Sequence, residues 1–405
     1  MKKVLLSAFA CDSTMGSEPL NGWNSAVGLS KRGFEVHCLT RELNRKNIEN
    51  DQKLLNLHFH YIKLPLGLEF LYSFSHPTMY FYYILWQWFA YKRAKKLSRY
   101  YHFDVVHHVT WGSTQLGSFL YKLKNPFVFG PSGGGQIAPH AFKVYFKKYW
   151  TREIYRENIS NLMLKYNQAC KKMLRNAFVV IASNPETKLM AKQVGSKNIK
   201  LELDAALPIS FFSKSVIKKE RKSETLKLLW VGRFMPRKGL LVVLDVMKEL
   251  KKYNQITLTI VGDGEMKNDV LKTIKDFDLS ETVFLTGSVS HEKVKDYYAS
   301  HDVFFYTSLR DSCPAQLIEA MAYSLPIVTL NLHGQAIIVS DETGIRCSAE
   351  TPEKTILELR EAILKLYNNP VLLNQMSENA YEFAKKQTWD KKIELIVSEY
   401  YPSNL

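Results

Sequence analysis

The chain has 405 residues, 46% of them hydrophobic and 23% charged, and its 55 Lys and Arg against 39 Asp and Glu give a net charge of +16. That length exceeds one ordinary core and predicts two domains, and the composition excludes long disorder. The positive surplus predicts an anionic partner (phosphate, nucleic acid or acidic lipid), while Cys11, Cys38, Cys170, Cys313 and Cys347 lack metal or redox spacing and fit a reducing compartment.

The chain starts Met1-Lys2-Lys3 and continues VLLSAFAC, which mimics an export signal. The apolar run is only about seven residues, so it reads as a buried first strand. Strands are then expected at 3–9, 35–40, 57–63, 104–109, 126–130, 177–181 and 199–203. Helical patterns lie between them, at 22–32, 80–101, 152–175 and 184–194. This alternation indicates βαβ units and a mostly parallel sheet. After strand one, CDSTMGSEPLNGW holds Gly16, Ser17 and Glu18 in a loop that leads into a helix. A helix start of this kind offers free N–H groups to a ligand. His107 and His108 stand at another strand end, where a lone histidine is more often structural and either could face a ligand. FVFGPSGGGQIAP contains Gly133, Gly134 and Gly135, which would allow a ligand very close to the backbone; a flexible turn is the plainer reading.

Residues 206–225 carry proline, serine and a run of charge without a sustained period, and read as a linker. Alternation restarts with strands at 226–232, 256–262, 282–287, 302–308 and 325–330, and 352–400 is helical with Pro370 between two segments. In WVGRFMPRKGL, a strand ends at Gly232, and Arg233 and Lys238 precede a helix opened by Gly239. Two cations beside a helix N-terminus suit a diphosphate, although a solvated basic loop has the same composition. In TSLRDSCPAQLIEAM, Asp311 and Glu319 stand eight apart, with Ser312 and Cys313 between them and Pro314 suited to a first helical turn. Carboxylates there can accept hydrogen bonds from sugar and ribose hydroxyls. Glu319 lies in an apolar run where a carboxylate needs a partner. The GDG starting at Gly262 lacks the six-residue glycine pattern of a dinucleotide site and reads as a strand-to-helix turn.

The pairing of GRFMPRKG with an acid, seven intervening residues and EAMAYSLPIV resembles retaining glycosyltransferase family 4, and GSEP-x-x-GW resembles its polysaccharide-assembly members. The resemblance implies the α/β GT-B fold, two Rossmann-like doubly wound domains facing across a cleft. It divides the chain into an acceptor domain at 1–205, the linker, a donor domain at 226–385, and a helix at 386–405 that returns to the first domain. It implies that Arg233 and Lys238 grip the donor diphosphate and Glu319 the ribose. Asp311 would contact the donor sugar, and Gly287 to Val289 would hold the base. Arg233, Lys238 and Asp311 are the catalytic candidates. Gly232, Gly262, Ser312 and Cys313 join them in donor binding, and Gly16, Ser17, Glu18, His108 and the three glycines form the acceptor side. This sequence departs from the family in having Asp311 for the first glutamate, Cys313-Pro314 for Phe-Gly, and Gly130-Pro131 at a usual histidine.

The activity implied is retaining hexosyl transfer from a nucleotide-diphosphate sugar, with UDP-sugar favoured by its frequency in the family, and with no cofactor and no metal. The acceptor implied is a hydroxyl of a lipid-linked glycan in surface polysaccharide assembly. MYFYYILWQWFAYKRAKKLSRYY at 79–101 and AFKVYFKKYWTRE at 141–153 combine aromatics with a basic end. They read either as interfacial helices for anionic lipid or as core helices with a solvated end. The placement expected is cytoplasmic, peripheral to the inner face of the membrane, without nucleic acid. Two rivals stay open: a nucleotide-sugar 2-epimerase of the same fold, and a non-catalytic basic binder of membrane or nucleic acid.

Overall fold

The computed structural model describes residues 1–16, 18–213, 215, 216 and 224–403. The chain divides into two compact units: Met1–Gly135, Asn158–Ala205 and Trp389–Leu405 form the first, and Gln136–Glu157 with Ala206–Thr388 form the second. Segment 136–157 therefore belongs with the second unit, although the sequence placed it within 1–205.

The first unit is built on β1 (Lys3–Ala8), β2 (Glu35–Arg41), β3 (Leu57–Ile62), β4 (Val105–Thr110), β5 (Phe127–Ser132), β6 (Val179–Ala182) and β7 (Ile199–Leu201). They form a parallel sheet in the order β3-β2-β1-β4-β5-β6-β7. Both faces are buried, as parallel sheets require. On β1, Val4, Leu6 and Ala8 point into one core with Ala26, Leu29, Ile393 and Ile396. Leu5 and Phe9 point into the other, with Tyr82, Tyr83, Trp86 and Ala90 of helix His76–Leu97. The aromatic stretch at 79–101 thus gives one face to the core, while Tyr80, Phe81, Trp88, Tyr100 and Tyr101 stay exposed. The helix expected at 152–175 is two, Trp150–Tyr166 and Gln168–Asn176, because the Asn167 side chain accepts from Cys170 N–H and starts the second.

The second unit holds β8 (Leu226–Val231), β9 (Ile256–Val261), β10 (Val283–Gly287), β11 (Val303–Tyr306), β12 (Ile327–Leu330) and β13 (Gly344–Cys347), parallel in the order β10-β9-β8-β11-β12-β13. The sequence reading missed β13, a four-residue edge strand paired to β12. Phe142, Tyr145 and Phe146 are buried in this unit's core, and the Tyr145 hydroxyl donates to Asp245 at 2.6 Å. The stretch at 141–153 therefore places Phe142, Tyr145 and Phe146 in the core and leaves Lys143, Val144, Lys147 and Lys148 exposed. The start of the expected linker is packed as well: Phe211 is buried against Tyr323, and Leu207 N–H donates to Gln387. Lys214 and 217–223 of that linker lie outside the described residues. Pro370 begins helix Pro370–Lys385 behind an Asn369 cap. Within the first unit, helix Trp389–Leu395 sends the buried Lys392 ammonium to Glu202 at 3.3 Å.

Candidate functional site

Ligands of doubly wound sheets bind beyond the carboxyl ends of the strands, where the strand order reverses. In the second sheet that point lies between β8 and β11. The loop leaving β8 carries Gly232, Arg233, Arg237 and Lys238; the loop leaving β11 carries Arg310 and Asp311. Gly239 lets the two loops meet. It has φ +65°, and a Cβ there would stand 2.1 Å from the Thr307 carbonyl oxygen. Gln335 braces the second loop, donating to the Ser308 carbonyl at 2.7 Å and accepting from Thr329 at 2.7 Å.

At the meeting point the Lys238 ammonium donates to the Tyr306 hydroxyl oxygen at 2.7 Å and to Asp311. Tyr306 donates to the same Asp311 oxygen at 2.7 Å, and Arg237 Nη1 stands 3.4 Å from it. The Lys238 and Asp311 side chains are 8% and 17% exposed. Burial alone would raise the Asp311 carboxyl, but Lys238 and Arg237 outweigh it and hold it well below the usual carboxylate range. Burial lowers the Lys238 ammonium, and Asp311 partly offsets that. The ammonium has three donors and uses two of them among the described residues, which leaves one for an anion. Arg233 is exposed and makes no side-chain hydrogen bond or ion pair among the described residues.

The remaining donor candidates surround the same sheet end. Gly232 N–H donates to Val261 and Gly262 N–H to the Gly287 carbonyl at 3.0 Å, tying the ends of β8, β9 and β10. Gly287 and Val289 are half-buried, and Ser312 N–H turns back to Asp311 at 3.2 Å. Cys313 is half-buried. Glu319 lies in helix Ala315–Met321 and has the partner its apolar setting demands: Tyr298 donates to it at 2.9 Å. His291 Nε2 is 3.8 Å from its other oxygen, and Glu319 raises the His291 pKa. Sequence reasoning missed Tyr306 and Arg237, and it also missed Glu153. That residue pairs with Arg310 beside Asp311, its Oε2 accepting at 3.1 Å. Arg237 was in view in the PRKG motif; Tyr306 and Glu153 carried no local signal.

In the first sheet the order reverses between β1 and β4. Glu18, at the start of helix Glu18–Lys31, accepts from Gly112 N–H just beyond β4. Burial pushes its carboxyl up to about 7, with Asp204 adding and Gly112 and Arg41 opposing. Arg41, at the end of β2, is buried over the Phe9 and Tyr72 rings at 4.5 and 4.2 Å and donates to the Phe9 carbonyl at 3.1 Å. Gly16 is exposed with open space at its Cβ position, and Ser17 lies outside the described residues.

Two expectations change in this unit. His108 is buried, its Nδ1 at 3.1 Å from the Ser7 hydroxyl and its ring stacked on Phe129, and burial pushes its pKa down to about 3. It is a neutral core imidazole and presents no face to a ligand. The three glycines are also spent on packing. Gly133 N–H donates to the Gly112 carbonyl and Gly135 N–H to Thr187, while Gly134 has a carbonyl held by Gln115 at 2.6 Å. A Cβ on Gly135 would stand 2.6 Å from the Glu186 and Thr187 backbone. Close approach explains the run, but the approaching atoms belong to the protein.

Comparison with known proteins identifies the segment that carries the Lys238 cluster. Residues 212–383 match the family described as Glycosyl transferases group 1. This segment is similar to a group 1 glycosyl transferase domain. An uncharacterised glycosyltransferase of Haemophilus influenzae is 29% identical over 225 residues, 55% of this chain and 59% of that one. The amylovoran biosynthesis glycosyltransferase AmsD of Erwinia amylovora is 30% identical over 175 residues, 43% of this chain and 46% of its own. The matches thus span about half the length of these curated relatives. Among solved structures, sucrose-phosphate synthase of Thermosynechococcus elongatus superposes with a TM-score of 0.69 at 18% identity, covering 99% and 98% of the two chains. HepE of Anabaena, solved in complex with UDP, has a TM-score of 0.66 at 16% identity and 100% coverage of both. A group 1 domain on one parallel sheet, preceded by a second Rossmann-like sheet, bears out the GT-B class expected of the sequence.

Proposed function

We propose that the protein is a retaining, nucleotide-sugar-dependent glycosyltransferase of surface polysaccharide assembly. The observation that carries this reading is the Lys238–Tyr306–Asp311 cluster, set in the group 1 domain where the strand order reverses. The free donor of Lys238, with Arg237 and the exposed Arg233, suits the diphosphate of a sugar donor, and UDP is the ligand named for HepE. In the transfer, the bond from the anomeric carbon to the phosphate oxygen breaks while the acceptor oxygen bonds to that carbon from the same face. The acceptor proton passes to the departing phosphate oxygen, and the cations stabilise the charge that develops there. Glu319, oriented by Tyr298, accepts from the ribose hydroxyls, and Asp311 addresses the donor sugar. These cations carry the leaving-group charge without a metal.

The acceptor side is assigned to Gly16 and Glu18, a glycan hydroxyl being within the hydrogen-bonding repertoire of a carboxyl near neutrality. AmsD, a relative named for amylovoran biosynthesis, supports a polysaccharide acceptor. A lipid-linked acceptor at the cytoplasmic face is supported by exposed Leu66, Phe70, Phe74 and Phe81, and by Lys92 and Lys122 over the Trp88 ring at 5.5 and 5.4 Å. No helix among the described residues is long and apolar enough to cross a membrane.

The decisive experiment is a thermal-shift screen of UDP-, GDP- and ADP-sugars, followed by transfer to a glycan acceptor with the product anomer read by NMR. One stabilising donor, retained configuration and loss of transfer in Glu319→Ala are expected. Conversion of donor without any acceptor would establish the epimerase instead, and no response to any nucleotide sugar would overturn both.

A further inference from the structure

At the opposite end of the first sheet, where its strands begin, lies a second cluster that sugar transfer does not use. Glu35 opens β2 and His37 follows two residues later on the same face; β3 sets His58 directly beside His37. The ligand atoms of these three side chains lie within 4.8 Å of one another. Among the described residues this is the group of His, Cys, Asp and Glu side chains that brings three such atoms together. We propose that Glu35, His37 and His58 bind one divalent cation of the zinc class, and that the ion ties the edge strand β3 to β2.

The geometry supports an ion at the shared atoms. His37 Nε2 and a Glu35 oxygen are 3.1 Å apart. Two ligands of a tetrahedral zinc ion, with bonds of about 2.0–2.1 Å, stand roughly 3.3 Å apart. The ion therefore takes the place of the hydrogen between them with little movement. His58 is exposed, its ring centroid 4.9 Å from that of His37, and is free to swing inward as the third ligand. Solvent on that side supplies a fourth.

The surroundings hold the buried ligand in place. His37 packs against Tyr101 and Phe103, with centroids at 4.2 and 5.3 Å, and stacks on His60 at 5.2 Å, contacts that restrict rotation of its ring. Its second nitrogen, Nδ1, is 2.9 Å from His60 Nε2. With the ion on Nε2, His37 carries its proton on Nδ1 and donates it to His60 Nε2, the kind of partner that fixes a metal-bound imidazole; His60 then carries its own proton on Nδ1 and gives up the 3.4 Å contact with Arg93 Nη2. Lys3 binds the other oxygen of Glu35 and leaves the first one to the ion. Two imidazoles and one carboxylate favour zinc over magnesium, which prefers oxygen ligands throughout. Position separates this site from sugar transfer, because Glu18 and Arg41 lie at the carboxyl ends of the same sheet.

The test uses tag-free full-length protein stripped with EDTA, reloaded with zinc chloride and passed through gel filtration. One zinc retained per chain, a higher Tm with zinc than with magnesium, and loss of both effects in His58→Ala are expected. His58 is exposed, so that variant keeps its fold; His37→Ala serves as a second variant. Zinc retained equally by His58→Ala, no zinc retained by the parent, or equal responses to zinc and magnesium would each overturn the site. None of these readouts depends on sugar transfer.

Discussion

Lys238 and Asp311 are buried charges, and such charges are tolerated only when paired and hydrogen-bonded. Tyr306 completes the pairing, since it accepts from the ammonium and donates to the carboxylate. Lys238→Ala leaves Asp311 with Arg237 as the cation beside it and with its hydrogen bond from Tyr306, and urea denaturation should show a loss near the low end of about 3–5 kcal/mol. Transfer should fall by about 10²–10³-fold, measured at saturating donor. The pH dependence of this pair follows from the sign of its shift. Asp311 has a folded pKa below its unfolded value, so its contribution is complete above about pH 4 and drains away as the pH falls further. Asp311→Asn should therefore trail the parent most at neutral pH and approach it in acid. Glu18 has the opposite sign. Its folded pKa of about 7 lies above the unfolded value, so the parent loses stability as the pH rises from roughly 4.3 towards 7. Glu18→Gln should match the parent near about pH 4 and melt higher near about pH 8; equal melting curves at both would remove the assigned shift.

At the scale of elements, the loop leaving β8 depends on one backbone conformation. Gly239→Ala places a methyl against the Thr307 carbonyl and forces φ +65° on a residue that resists it. It should cost about 1–3 kcal/mol and displace Lys238, lowering transfer more than Tm alone accounts for. Strands and most helices were legible because a strand buried on both faces is a continuous apolar run, and VVHHVT or LKLLWV can be little else. β13 escaped because GIRC is four residues long with half its positions partly exposed. The break at Asn167 escaped because both flanking helices keep a helical pattern and only the cap marks the join. At the site, Arg233, Lys238, Asp311 and Glu319 were legible as a motif and its spacing. Their partners were not. Tyr306 is 68 residues from Lys238, and Glu153 is 157 from Arg310, so only the assembled sheet brings them together. His108 and the glycine run show the reverse error, in which residues at strand ends advertise chemistry and are occupied by packing.

At the scale of the molecule, the last residues are part of the first unit's core. Ile393, Ile396, Tyr400 and Tyr401 pack with Val4, Leu6 and Val36. A chain ending at Thr388 should expose that face, and limited proteolysis should cut the first unit well before the second. The ion pair of Arg310 with Glu153 has a longer reach, into how such proteins diversify. Exchange of donor specificity between homologous genes is simplest when one contiguous block can be replaced. Here a crossover in the linker would take Arg310 and Asp311 from one parent and keep Glu153, Tyr145 and Phe142 from the other. Such a hybrid inherits a buried arginine whose partner was selected against a different sequence. Viable chimaeras of this chain should therefore carry 136–157 together with 206–388, a rule that can be scored by sorting a recombination library for soluble, donor-binding members.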